Sequence, residues 1–78
     1  MKLFSIYDKK GQIYGTPFVC RNVEEAKRNL AALAKDPNSM VQKFPEDFSV
    51  FELGSFSDKT GKIDALKEVL HLANAPTQ

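Results

Sequence analysis

His71 is the only histidine of the chain and Cys20 the only cysteine, so any imidazole base or thiol nucleophile must be one of these two. A nucleophile and its base need to lie within hydrogen-bond reach, with a third group to orient the base. Nothing in the residues around Cys20 builds such a set. A zinc site needs three or four thiolate, imidazole or carboxylate ligands at close spacing, and one of each is too few. Glu24-Glu25 and Glu46-Asp47 are adjacent carboxylates, but one pair opens a helix-like run and the other a turn, where acids serve as caps. Gly11 and Gly61 stand in turns and form no phosphate-cradling loop. These residue types point away from an enzyme and call for no cofactor and no metal.

The chain carries 11 basic and 10 acidic residues, a net charge of +1. Bulk attraction to nucleic acid is therefore excluded, and any such site must be a local patch. Seventy-eight residues make one domain near the lower limit for a self-sufficient core, which favours self-association or a partner. A lone cysteine suits a reducing compartment. The N-terminal apolar run is broken by Asp8 too early for a signal-peptide core, and no run is long enough to span a membrane.

The elements that must position any site follow from a turn written twice. Asp8-Lys9-Lys10-Gly11-Gln12-Ile13 recurs as Asp58-Lys59-Thr60-Gly61-Lys62-Ile63, each copy after a β-prone run. An Asp opening a type I turn, with Gly taking positive φ, predicts a hairpin. Residues 2–8 and 12–20 form the first hairpin, with Pro17 marking an edge or bulge. Residues 48–57 and 63–66 form the second. Between them Asn22 caps a helix in which Val23, Ala26, Leu30, Leu33 and Ala34 make one apolar stripe. Asp36-Pro37-Asn38 ends it. Residues 67–73 read as a short C-terminal helix or an added strand, with helix preferred. The expected fold is α+β, two β-hairpins in an antiparallel sheet with one helix between them (ββαββ). Residues 1–73 form the domain and residues 74–78 a flexible tail.

If Asp8 opposes Gln12, then Tyr7 pairs with Ile13, Ile6 with Tyr14 and Phe4 with Thr16, and paired residues share a face. One face then carries Leu3, Tyr7, Ile13, Val19, Phe51, Leu53 and Ile63. The other carries Phe4, Ile6, Tyr14, Phe18, Phe48, Val50, Phe56 and Leu66. Both are apolar, yet one helix covers only one of them. Ser5, Gly15, Ser55 and Ala65 give a helix room on the first face. That leaves Phe4, Tyr14, Phe18, Phe48 and Phe56 uncovered, flanked by Lys2, Gln12 and Lys62. Three explanations stand: the C-terminal segment or a second copy packs there; bases of a single strand stack there; or the register is shifted and the faces exchange.

The stretches Met1-Lys2-Leu3-Phe4-Ser5-Ile6-Tyr7-Asp8, Ile13-Tyr14-Gly15-Thr16-Pro17-Phe18 and Pro45-Glu46-Asp47-Phe48, the last leading to Glu52-Leu53-Gly54-Ser55-Phe56 and Gly61, resemble the small nonstructural protein of the gokushovirus-type microviruses. These are tailless phages with circular single-stranded DNA. The resemblance covers roughly residues 1–64. It implies DNA binding during genome replication or packaging in the host bacterial cytoplasm, and transfers no catalytic residue. With that ligand, this chain's own cations Lys2, Lys9, Lys10, Arg21, Lys43 and Lys62 are the candidates for phosphate contacts, and Tyr14 and Phe18 for stacking. Lys9 and Lys10 read equally as a solvated hairpin tip. Arg21 stands beside a helix N-terminus, which favours anions, against Glu24 and Glu25. Near-neutral charge makes a homodimer part of this expectation, since several weak patches must gather along one strand. The alternative is an interaction module whose aromatic face meets a phage replication, capsid-assembly or host protein.

Overall fold

The structure, a computed structural model, describes residues 1–77. Five antiparallel strands form one sheet: β1 (Lys2–Asp8), β2 (Ile13–Tyr14), β3 (Phe18–Cys20), β4 (Phe48–Phe56) and β5 (Ile63–Asn74). Helix α1 (Val23–Lys35) crosses one face, and α2 (Met40–Lys43) with a 3-10 turn over Pro45–Asp47 leads into β4. The strand order is β2-β1-β4-β5, with β3 also on β1. The fold is thus α+β as expected, with more strands than two hairpins supply. The second expected strand is divided by Gly15-Thr16-Pro17. Proline has no N–H for the ladder, and Gly15 donates to the carbonyl of Ile6 at 2.8 Å within the break.

Helix α1 starts where its sequence dictates. The Asn22 side chain accepts from the Glu25 N–H at 2.9 Å, and the Glu25 carboxylate reaches back to the Arg21 N–H at 3.3 Å. The first bond is that of the usual capping box, and the second reaches one residue beyond the N-cap N–H that the box would use. Asp36 leaves the helix in extended backbone ahead of Pro37. The apolar stripe packs as its spacing requires: Ala26, Leu30 and Ala34 are buried, with Val23 and Leu33 against the same core.

That core lies between α1 and the side of the sheet carrying Phe4, Cys20 and Val50, with Phe18, Ile6 and Phe48 around them. The expected docking face was the other one. The small residues that allow close approach are on the helix, at Ala26 and Ala34, so the sheet can present large side chains to it.

The register of the first hairpin is also shifted. Tyr7 opposes Tyr14 and Asp8 opposes Ile13, one residue away from the expected pairs. The loop takes its positive φ at Gln12, not at Gly11, whereas the second turn does use Gly61 at φ 76°. One step moves Tyr14 onto Tyr7's face. The irregular stretch at residues 15–17 restores the alternation, so Phe4 and Phe18 share a face as expected, but as direct partners in place of the expected Phe4–Thr16 pair, and Leu3 pairs with Val19.

The last segment is strand, not helix. Strand β5 pairs with β4 from Ile63 to Asn74, with residues 66–69 opposite the single residue Leu53. Beyond it Ala75 is buried, and its N–H donates to the Phe48 carbonyl at 2.9 Å. Two residues of the expected tail therefore belong to the folded domain. Gln78, the end of that tail, lies outside the described residues.

Candidate nucleic-acid interface

The face of the sheet turned away from α1 is set by strand alternation. Tyr7 pairs with Tyr14 and Ser49, Ser5 with Phe51, Phe51 with His71, and Ser49 with Asn74. Directly opposed residues share a face. Four rings therefore stand together on strands β2, β1, β4 and β5. Tyr7 and Tyr14 lie 4.5 Å apart between centroids and tilted, while Phe51 meets Tyr7 edge-on at 5.8 Å and Tyr14 at 5.5 Å. His71 meets Phe51 edge-on at 5.3 Å. Such tilted and edge-to-face pairs are the favoured aromatic geometry.

Two serines make this arrangement possible. Ser5 and Ser49 alternate with Tyr7 and Phe51 along their strands, and both are fully buried. Small side chains at these positions let neighbouring rings lie over them. Their hydroxyls are satisfied, Ser5 donating to the Gly15 carbonyl at 2.7 Å and Ser49 to Asn74 Oδ1 at 2.8 Å. Tyr14 remains 42% exposed and His71 is exposed, with Tyr7 and Phe51 half-buried. The rings are held in place by one another and still present surface to solvent.

The two aromatics expected to stack are thus separated. Tyr14 stands on the open face. Phe18 lies on the helix side, 6.0 Å from Phe4 between ring centroids, in a hollow lined also by Ile6, Ala32 and Leu33. It is a packing residue there. Phe4 and Phe48, also expected on the uncovered face, join the same core.

The cations divide likewise. Lys2 pairs with Glu52 at 3.5 Å, Arg21 with Glu25 at 3.2 Å and Lys62 with Asp64 at 3.9 Å. Lys9 and Lys10 lie on the turn that joins β1 to β2, directly after Tyr7 and Asp8. Lys10 also lines a cleft with Asp8, Glu46 and Asp47, which lowers the positive potential on that side. Lys43 ends α2. The turn lysines are the expected cations adjoining the ring row in the chain.

Tyr7 and Phe51, expected on the face covered by the helix, and His71, to which the sequence assigns no face, complete the row. The signal for the first two was the Ser5-x-Tyr7 and Ser49-x-Phe51 pattern, a buried small residue beside an aromatic on the same face. Among the described residues no group of three His, Cys, Asp or Glu is placed to hold a metal ion. No helix among them is long and apolar enough to cross a membrane.

A helix-backed antiparallel sheet with exposed rings on its open side defines a small α+β domain. The family model described as Phage ORF5 protein matches residues 1–77, and the chain belongs to that phage protein family. No curated protein and no solved structure matches it.

Proposed function

We propose that the chain is a non-enzymatic phage protein that binds single-stranded DNA on the Tyr14, Tyr7, Phe51 and His71 row. The observation that carries this reading is the placement of four rings on adjacent strands of the uncovered face. Strands lie about 4.8 Å apart, so the row spans roughly 14 Å across the sheet. That is room for two or three bases, each of which offers a π-face to an aromatic side chain. Lys9 and Lys10, at the turn beyond Tyr7, supply phosphate contacts at one end. Membership of a phage family, and the resemblance to the small nonstructural protein of gokushovirus-type microviruses, suit a ligand that accumulates during single-strand synthesis and packaging in the bacterial cytoplasm. The domain acts as a homodimer in this reading, since a net charge of +1 requires two patches to share one strand.

A second reading, contact with a phage replication or capsid protein, is favoured by β5. This edge strand exposes Ile63, Val69 and Leu70, and an unpaired strand edge is a template for another chain. Fluorescence anisotropy with labelled single-stranded and duplex oligonucleotides across a salt series separates the two. Preference for single strands, with a log-log salt slope of about −0.7 per phosphate neutralised, is the expected result. Absence of binding at low salt would leave only the protein partner.

A further inference from the structure

A hollow of about 550 Å3 lies between the β1–β2 turn and the α2 segment, lined by Asp8, Lys10, Met40, Phe44, Glu46 and Asp47. Its two sides are tied together: the Lys9 N–H donates to the Asp47 carbonyl at 2.8 Å, and the Asp47 N–H to the Phe44 carbonyl at 3.0 Å. Apolar surface is open there, with Phe44 45% and Met40 55% exposed. Three carboxylates stand against one lysine, in a chain whose net charge is +1. Among the described residues none of these three belongs to an ion pair, whereas Glu24, Glu25, Glu52 and Asp64 each have a cation. Asp8 Oδ1 accepts from the Lys10 N–H at 3.0 Å, while the Glu46 and Asp47 carboxylates accept no hydrogen bond from any described residue.

We infer that this hollow is a docking site for an arginine side chain on an exposed segment of a partner protein. A guanidinium keeps its charge, binds carboxylates through paired hydrogen bonds and stacks on aromatic faces. The Phe44 ring and the free carboxylates suit those properties together. The methylene stem of the arginine covers Met40. A lysine ammonium has no plane to lay on the ring and is more strongly hydrated. The same carboxylates repel phosphate, so this site is separate from the ring row and does not rest on the single-strand reading.

The test is an amide chemical-shift titration of the 15N-labelled full chain. The probes are the peptide acetyl-Gly-Leu-Arg-Leu-Gly-amide and its lysine and citrulline counterparts, the last keeping the shape of arginine without its charge. Shifts are expected at residues 8–10 and 44–47, with the arginine peptide bound about tenfold more tightly than the citrulline one and more tightly than the lysine one. The double variant Glu46→Gln, Asp47→Asn is expected to abolish the arginine-over-citrulline ratio. Phe44→Leu should remove the margin over lysine, and the remaining amide signals report that both variants are folded. No shift at these residues with millimolar arginine peptide, equal binding of the arginine and citrulline peptides, or a ratio kept in the double variant overturns the inference. Arg28 is exposed, whereas Arg21 is paired with Glu25. Shifts at the same residues on concentrating the chain alone, lost in Arg28→Gln, would give the hollow to a second copy and overturn the separate partner.

Discussion

The carbonyl oxygen of Asp64 occupies the space that a Cβ on Gly54 would fill. Gly54 pairs with Ala65 at the point where β5 leaves regular pairing with β4 for the excursion of residues 66–69, and the two backbones touch because residue 54 has no side chain. Relief requires a shift of backbone, not of a flexible side-chain tip. Gly54→Ala is therefore expected to destabilise the domain by about 2–3 kcal/mol, read as a lower denaturant midpoint. Gly61→Ala is the comparison: open space surrounds it and the cost comes from its positive φ of 76°, about 1 kcal/mol. Equal losses at the two sites would show that β5 moves aside easily.

Tyr14 and Phe18, four residues apart across the break between β2 and β3, should respond in opposite ways. Tyr14→Ala removes an exposed ring of the row, and its effect belongs to binding: a loss of about 1–3 kcal/mol in single-strand affinity, with a modest change in melting temperature. Phe18→Ala opens space beside Phe4 and Leu33 and should cost about 2–3 kcal/mol of stability. Where that variant remains folded, its DNA affinity should be close to wild type. A folded Phe18→Ala that loses DNA, beside a Tyr14→Ala that keeps it, would move the site to the other face.

Much of the fold was legible because it depends on local signals. The cap at Asn22, the stripe from Val23 to Ala34, the stop before Pro37 and the repeated turns each act within a few residues. The grouping of Phe4 with Ile6 and Val50, and of Tyr7 with Phe51, followed from alternation alone. What local pattern does not determine is loop length. One residue more in the first loop, with Gln12 in the left-handed region, carried Tyr14 to the other face. Nor does a two-faced apolar sheet say which side the helix will take; Ala26 and Ala34 decided that from the helix. Residues 67–73 have the composition of a helix, and pairing with β4 overrode it. Of the proposed site, the sequence names Tyr14 and the turn lysines as candidates, whereas His71 takes its place in the row only through β5.

Capping at Asn22 should be measurable on its own. Its side chain satisfies the Glu25 N–H, and Asn22→Ala is expected to cost about 1 kcal/mol. The Arg21 backbone N–H foremost, and then its side chain, hold the Glu25 carboxyl below the usual carboxylate range. A depressed folded value means that this contribution is complete above the ordinary carboxylate pKa of about 4.3 and is lost as pH falls through the folded one. Glu25→Gln should flatten the acid limb of a melting-temperature profile relative to wild type. An unchanged limb would show that Arg21 and Glu25 separate in solution.

Cys20 sets the opposite limit. It is 2% exposed, beneath α1, and Asn29 donates to its sulfur at 3.5 Å. Burial foremost, and the nearby Glu25 carboxylate after it, push the thiol pKa up. The native state thus keeps its proton at a pH where the unfolded thiol, ordinarily near about 8.5, has lost it. Above that value the unfolded chain binds fewer protons than the native one, so stability must fall as pH rises and level off only beyond the folded pKa. Below it the thiol makes no contribution to the slope. Tyrosines and lysines titrate on the same alkaline limb, so the informative quantity is the difference between wild type and Cys20→Ala. The variant should be less stable at neutral pH, because a buried sulfur is lost, and its deficit should shrink as pH rises from about 8 to 10. A deficit that stays constant across that range would mean that the thiolate forms as readily in the folded protein as in the unfolded chain.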